Sequence, residues 1–600
     1  MSSPSSERPG HPGPRPLGLS DVVDWAIWFG ALTALGETMA VTAVRTLTSR
    51  MVFITRDIVW RAPVSNIALY GLLGLGMVVL LRRMPRTRSL ALLAGLFVFL
   101  AAVGPVLQVP RLHPYAALFL ALGVAVQAAR LTGWHTDVAS RLVRRSLPFV
   151  AVPCLLLAAG YLGIREVRTR QAITALPPAS SGAPNVLVIV LDTVRARSLG
   201  VYGSPRPTSP KLDAFARTGV LFEHAFSPAP WTLPSHASMF TGLVPKALTA
   251  DWLHPLDQTQ ATLAEEMQRR GYATVGEVAN LLYTTSATGL DRGFLRYSDF
   301  PFSVATFMHQ SWLTRPIAAE VRRNFGQEDK MVRKSAAQVT DSFLDWLPGR
   351  PDAPFFAFLN YFDAHAPYLP PAPYDTMFGH GPLPDVATRR QWSPPEIQRS
   401  LDAYEGSVAY IDAELGRLLE SLAAQGILED TVVVITSDHG EQFGEHGLFD
   451  HANSLYRAVL HVPFIVSYPR RVPAGVRVST PVSLVDLPAT VLDLVGTERQ
   501  QAMPGRSLVD AWTGVSDGGR AVFSQVSRGI NLAPHLPVSR GNMVSVIVDG
   551  VHYIRNGDGV EELYDFEHDE QETTNLAGRP DMQERLLAAR SAVATVDQRR

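Results

Sequence analysis

The chain of 600 residues opens with a region that water solvates poorly: residues 21–166 hold several runs almost free of charge. The stretches 65–81, 89–107 and 147–164 approach the roughly 17–25 residues that an α-helix needs to cross a bilayer. The stretch 115–129 is shorter, and 22–44 carries Asp24 and Glu37. That last stretch reads as a spanning helix with a protein-facing acid or as an interfacial helix. About five spans result. Residues 1–20, Pro-rich and not strongly basic, read as a disordered tail on a retained segment rather than as a cleaved signal.

Short loops rich in arginine stay in the cytoplasm. Arg82, Arg83, Arg86 and Arg88 follow the second span, and Arg141, Arg144 and Arg145 follow the fourth. This predicts a multi-pass protein of the cell (inner) membrane, with everything after residue 164 extracytoplasmic. Arg45, Arg50, Arg56 and Arg61 in the first loop run against the scheme unless the first segment does not span. The exit side of the second half is the same in both cases.

A chain of this length exceeds what one core usually serves, so at least two structural units are expected. The formal net charge of −1 supplies no basic excess or stripe, which excludes a nucleic-acid binder. The one cysteine, Cys154, lies in an apolar run. It permits neither an intrachain disulfide framework nor a thiolate metal site, and reads as a small buried hydrophobe.

Residues 167–183, with Pro177, Pro178, Ser180, Ser181 and Gly182, read as a linker. From residue 184 the pattern changes. Short β-branched runs alternate with capped helical segments, which predicts an α/β domain with a mostly parallel sheet sandwiched by helices. Ser209-Pro210 followed by Gly219, and Thr262 with Glu265 and Gly271, mark two helices by cap and stop. The segments 302–333 and 378–400 read as insertions around the sheet.

In open α/β sheets the working groups gather beyond the carboxyl ends of the strands. The run 185–191 ends in Asp192, the run 355–361 leads to Asp363 and His365, and the run 431–435 is followed by Asp438 and His439. In Trp231-Thr232-Leu233-Pro234-Ser235-His236, Thr232 lies just before a helix start marked by Pro234. Free N–H groups at a helix start attract an anion, so a hydroxyl there can meet a charged ester. Taken singly, each residue is a turn former, an N-cap or a solvated polar pair. Their coincidence at one sheet edge is what points to a site.

At these residues the chain resembles the sulfatase family, within the alkaline phosphatase-like superfamily, over 184–576. Residues Pro184 to Asp192 look like that family's first strand and metal-binding acid; Thr232 to His236, with Thr241-Gly242, sit at its nucleophile motif. Asp363-Ala364-His365-Ala366-Pro367-Tyr368 is similar to its substrate-histidine loop. Ser437-Asp438-His439-Gly440-Glu441 through His446-Gly447 is similar to its second metal loop. Glu562-Leu563-Tyr564-Asp565 with Asn575-Leu576 resembles its C-terminal subdomain. The resemblance implies a catalytic domain over 184–500 and a small α+β subdomain with its tail over 501–600.

The departures carry information too. Family members that cleave sulfate esters usually carry a cysteine or serine converted to formylglycine, followed by proline and arginine. Here Thr232 fills that slot and His236 replaces the arginine, so no formylglycine is expected. The usual paired acid is reduced to Asp192 followed by Thr193. Glu277 and Asn280 stand where a lysine and histidine are customary. A threonine nucleophile after about five spans is also similar to lipoteichoic acid synthases and phosphoethanolamine transferases.

A threonine hydroxyl needs an activator, and a divalent cation is one. The expected ligands of a single metal are Asp192, Asp438, His439 and the Thr232 oxygen. Imidazole among them favours zinc or manganese over calcium. His365 is expected to contact a non-bridging oxygen or protonate the leaving group, with His236, His446 and His451 as further substrate contacts. The leading function is hydrolysis of a sulfuric or phosphoric ester, possible substrates including lipids and glycans. The alternatives are transfer of a lipid-derived head group to an envelope acceptor, and a degenerate member that only binds.

Overall fold

The computed structural model describes residues 17–52, 54–107, 112–301, 303–309, 311–315, 333–384, 386–496, 503–513, 520–530 and 532–598. Most of the tail expected over 1–20 lies outside the described residues. The chain forms two compact units. One holds Met1–Thr48, Ile54–Val167 and Phe302–Met331; the other holds Ser49–Phe53, Arg168–Pro301 and Val332–Arg600.

The first unit contains five helices long and apolar enough to cross a membrane: α1 (Leu19–Thr48), α2 (Ile58–Leu80), α3 (Arg86–Leu107), α4 (Pro114–Trp134) and α5 (Thr136–Thr174). The start of α4 shows how the local sequence sets a boundary. The His113 ring accepts from the Tyr115 N–H, and Pro114 occupies the first turn, where a missing N–H leaves nothing unpaired. Large apolar side chains such as Leu72, Phe119, Phe149 and Leu155 face outward. An aqueous surface does not tolerate a continuous array of this kind.

Charge collects at the two ends of this bundle. Arg86 forms a bidentate pair with Asp21 at 2.9 and 3.0 Å, and Arg144 reaches Asp24 at 2.8 Å, so both arginine-rich loops meet the start of α1. At the other end Tyr161, Arg165 and Arg61 gather around Asp57. The stretch 22–44 is therefore part of a full-length helix, and its Glu37 faces protein rather than the outside.

The second unit is built on an eight-stranded sheet. In chain order its strands are β1 (Asn185–Leu191), β2 (Val220–Phe222), β3 (Ala273–Val278), β4 (Arg296–Ser298), β5 (Phe355–Tyr361), β6 (Thr431–Thr436), β7 (Phe464–Ser467) and β8 (Val476–Val478). Their spatial order is β8-β2-β7-β6-β1-β5-β3-β4. The run from β6 through β4 is parallel, whereas β7 is antiparallel to both of its neighbours.

Side chains alternate across a strand, so a strand apolar at every position feeds two cores. Val186, Val188 and Val190 of β1 join one core while Leu187, Ile189 and Leu191 join the other. Phe356 and Phe358 of β5, and Val432 and Val434 of β6, follow the first set. Each such side chain contributes about 1.5–3 kcal/mol by leaving water. The second core is covered by α7 (Ala336–Trp346) and α8 (Pro394–Ala424), through Val339, Phe343, Val408 and Leu415. The first is covered by α6 (Thr232–Thr241), through Leu233, Ala237 and Phe240.

A four-stranded antiparallel sheet follows: β9 (Val522–Val526), β10 (Met543–Val548), β11 (Val551–Arg555) and β12 (Glu561–Asp565). Leu586, Ala589 and Val593 of the terminal helix pack against it. The fold is thus the expected alkaline phosphatase-like sheet and helix sandwich with a small C-terminal subdomain.

Three expectations need correction. Helix α5 continues to Thr174, so most of the early part of the linker read as 167–183 is helical. Arg, Gln and Ala after residue 164 favour helix, and nothing stops it until Pro177 and Pro178 disfavour helical backbone before them. The described part of 302–333 up to residue 315 belongs to the helical unit, not to the surroundings of the sheet. The segment 378–400 is in part the start of a long helix. Ser393 and Glu396 form a capping box around Pro394 at the head of α8.

Candidate active site

The parallel register of β1, β5, β6 and β3 brings four loops to one edge. β1 delivers Asp192, whose backbone N–H bonds to the Tyr361 carbonyl at 2.8 Å, and β6 delivers Asp438 and His439. One oxygen of Asp192, one of Asp438 and a ring nitrogen of His439 all lie within 4.8 Å of one another, and all three residues are buried. Thr232 is the first residue of α6, with Trp231 as N-cap, so the helix begins at the hydroxyl rather than after it. Its Oγ1 stands 3.4 Å from His439 Nε2.

The protonation pattern follows from the partners. His439 Nδ1 lies 2.9 Å from the Gly440 carbonyl, which can only accept, so Nδ1 carries the proton and Nε2 presents a lone pair toward Thr232 and Asp438. Burial, together with neighbouring His451, holds His439 well below the ordinary imidazole value, so it is neutral. Burial pushes the Asp192 carboxyl up to about 6 although Asn280 and His451 favour its charged form. Burial and the Asp192 charge raise Asp438 well above the carboxylate range.

Two buried carboxylates facing a neutral imidazole lone pair form a donor set for a cation. Asp192 Oδ1 and Asp438 Oδ2 have no hydrogen-bond partner among the described residues. An orphaned buried carboxylate oxygen is expensive unless a charge meets it. The residues present therefore fit a divalent metal ion.

A second group, Glu441, Asp450 and His451, was not expected as a set. Its acids are already engaged. Glu441 accepts from His451 Nδ1 at 3.1 Å and from the Tyr368 hydroxyl at 3.0 Å; Asp450 accepts from the same Nδ1 at 2.9 Å and pairs with Arg389 at 2.8 Å. Burial opposes charge on His451, yet Glu441 and Asp450 hold it well above the ordinary imidazole value. The group reads as a seat for an imidazolium. That ring lies 4.5 Å from the His439 ring and 4.9 Å from the His365 ring, centre to centre.

His365 stacks on Phe362 at 4.3 Å, and its Nδ1 donates to the Ala366 carbonyl at 2.8 Å. Burial and then His451 push it down to about 3, so it is neutral with Nε2 as an acceptor. His236 is fully buried. Its Nδ1 donates to the Thr232 carbonyl at 2.8 Å and lies 3.5 Å from Asp438 Oδ2. It props α6 against the acid. His446 is placed elsewhere, exposed and stacked on Tyr456 at 3.6 Å, lining a small cavity with Arg197, Arg457 and Glu570.

Sequence reasoning noticed Asn280 only as a departure. Its Nδ2 donates to Asp192 Oδ2 at 3.0 Å and reaches Thr232 Oγ1 at 3.4 Å, while its Oδ1 accepts from the N–H groups of Leu282 and Tyr283. Asn360, at the end of β5, accepts from the Asn280 N–H and approaches Asp192 Oδ2 at 3.4 Å. Thr193 holds a left-handed φ of 64°, costly for a β-branched residue. In that conformation its N–H reaches Asp438 Oδ1 at 3.2 Å and its hydroxyl the Ala364 carbonyl at 2.7 Å. The signal for Asn280 was position: it lies two residues past the end of β3, the strand next to β5.

Fold and site together define an ester hydrolase built on an alkaline phosphatase-like sheet. The chain belongs to the sulfatase family: the family model described as Sulfatase matches residues 184–497. A second model, N-sulphoglucosamine sulphohydrolase, C-terminal, matches residues 444–596. Among curated relatives, arylsulfatase K of Homo sapiens is 28% identical over 475 residues, covering 71% of this chain and 83% of that protein. A sulfatase of Formosa agariphila is 26% identical over 438 residues, covering 66% and 83% respectively. Among solved structures, the phosphonate monoester hydrolase of Agrobacterium radiobacter superposes with a TM-score of 0.54 at 24% identity. It covers 68% of this chain and 95% of that one.

Proposed function

We propose that this protein is a membrane-anchored, metal-dependent hydrolase of sulfuric or phosphoric esters in which Thr232 is the nucleophile and the catalytic half is extracytoplasmic. The observation that carries the reading is the placement of Thr232 Oγ1, 3.4 Å from both His439 Nε2 and Asn280 Nδ2, beside two buried carboxylates with orphaned oxygens. Bound by Asp192, Asp438, His439 and Thr232, a zinc or manganese ion would lower the pKa of the threonine hydroxyl and neutralise charge on the ester. Two carboxylates and an imidazole suit those metals better than calcium.

The remaining work falls to the chain's own groups. Thr232 Oγ1 forms a bond to the phosphorus or sulfur and releases its proton to solvent water, a loss that the bound cation would make easier. The bond to the leaving oxygen breaks, and that oxygen takes a proton from His451, the one imidazole of the group flanked by two carboxylates. His365, neutral with an open Nε2, accepts the proton of the water that then cleaves the Thr232 ester and releases phosphate or sulfate. Asn280 holds the hydroxyl and Asp192 in register throughout. This reading moves the proton-donor role from His365 to His451 and leaves His236 as a support.

Names of relatives support both ester classes, sulfate through the arylsulfatases and phosphoryl-type through the phosphonate monoester hydrolase. The test uses the full-length protein in detergent, assayed on aryl sulfate, phosphate monoester and phosphodiester with zinc, manganese or calcium. Turnover that depends on metal and vanishes in Thr232→Ala supports the proposal; equal turnover by Thr232→Ala removes it. Five candidate spans attached to such a site favour one further arm, an alcohol acceptor in place of water. Transfer to the alcohol would show a transferase using the same intermediate.

A further inference from the structure

Glu37 lies in α1, a helix long and apolar enough to cross a membrane, yet it is only 1% exposed. It sits about 16 Å along the helix from Thr48, and Asn66 of α2 lies about 12 Å from the start of its helix, at roughly 1.5 Å per residue. That depth leaves little water to satisfy a carboxylate, so protein groups must. Asn66 Nδ2 donates to Glu37 Oε2 at 3.2 Å. The donors to Oε1 come from far along the chain: the Trp312 N–H at 3.1 Å and the Ser311 hydroxyl at 3.1 Å, the latter also 2.7 Å from Asn66 Oδ1.

Those residues belong to a segment whose neighbours in sequence, on both sides, are strands and loops of the catalytic unit. Its seat in the bundle is extensive. The Ser65 hydroxyl donates to the Phe307 carbonyl at 2.8 Å, and Phe307 packs edge-on against Trp60 at 5.6 Å. Leu313 is buried in one apolar cluster with Phe29, Tyr70 and Phe97. The Thr314 hydroxyl closes the turn onto the Met308 carbonyl at 2.6 Å. A polar latch at the centre and an apolar knob beside it are what an element inserted among spanning helices requires.

We propose that residues 303–309 and 311–315 belong to a second membrane anchor, by which the catalytic half is held in the helix bundle independently of the chain between α5 and β1. The inference rests on the reading that α1–α5 span a membrane. The experiment replaces residues 176–183 with a protease site in the full-length protein, cuts it in isolated membranes and washes with about 1 M salt, which screens charge-only contacts to within a few ångströms. The cut wild-type catalytic half stays with the membranes. In Glu37→Ala/Ser311→Ala/Leu313→Asp it moves largely to the wash. Turnover of a soluble aryl ester by the released half shows that it is folded. Should that variant be inactive, Glu37→Gln/Ser311→Ala, which keeps the shapes, replaces it with the same expectation.

Release of the cut wild-type half overturns the anchor while leaving the spanning helices intact. Retention of the folded variant at the wild-type level overturns the latch. Loss of the uncut protein to the wash overturns the membrane reading and the anchor with it.

Discussion

Asn280→Ala removes an amide that touches both the proposed nucleophile, Thr232, and Asp192, an acid of the proposed metal set. Its Nδ2 donates to the Asp192 carboxylate at 3.0 Å, a charge-assisted bond, and to Thr232 Oγ1 at a long 3.4 Å. Hydrogen bonds to charged groups are worth about 1.5–3 kcal/mol, and the longer contact adds little. If the amide acts mainly by holding the hydroxyl where attack begins, the loss appears in kcat as a decrease of roughly 10- to 150-fold. KM is expected within about threefold of wild type, because no atom of Asn280 is assigned to the substrate. The assay is steady-state turnover of a soluble aryl ester by full-length enzyme at saturating metal, with thermal unfolding as the control for fold. A folded Asn280→Ala enzyme with kcat within about threefold of wild type refutes the reasoning.

The remaining predictions test other parts of the account. Burial raises Asp192 to about 6 without a cation, so the chelated protein should lose stability as pH rises from about 4 through 6, the range in which the unfolded carboxyl is already ionised; metal should flatten or reverse that slope in thermal melts across pH. His451→Gln should lower kcat/KM by about 10²- to 10⁴-fold, the usual contribution of a proton donor, whereas His446→Ala should leave it within about threefold and alter only the melting temperature through the lost stack on Tyr456. Asp412 accepts the Lys211 and Leu212 N–H groups at 3.0 and 2.7 Å, so Asp412→Ala should destabilise by about 1–3 kcal/mol in urea titrations without changing kcat.

Much of the fold was legible because its determinants are local. Residues 186–191, 355–359 and 432–435 are apolar at every position, the pattern of a strand buried on both faces. The same reasoning singled out Asp192, His365, Asp438 and His439 as candidates, since each follows such a run. It missed Asn280 because β3 contains Glu277, an acid buried against Arg296 and Lys334 that breaks the apolar pattern. It also missed the seat of His451, because Glu441 and Asp450 meet that ring through a turn with left-handed backbone at His446 and Asp450.

Residues 303–309 and 311–315 were opaque for a different reason. Their few apolar side chains resemble any surface insertion until the partners are known, and those partners lie more than 200 positions earlier in α1, α2 and α3. Glu37 was visible as an anomaly in an apolar run, but the group that satisfies it was not. Long-range pairing of this kind leaves no periodicity to read.

The nucleophile is tested most directly by catching it. Full-length enzyme mixed with a reactive aryl phosphate or aryl sulfate, quenched in acid during turnover and digested, should yield the peptide spanning Trp231 to Thr241 with the added mass of one phosphoryl or sulfuryl group, located by fragmentation on Thr232. Asn280→Ala should give less of it and Thr232→Ala none. Wild-type enzyme that turns over rapidly with that peptide unmodified at every quench time, or with the group on another residue, contradicts the account.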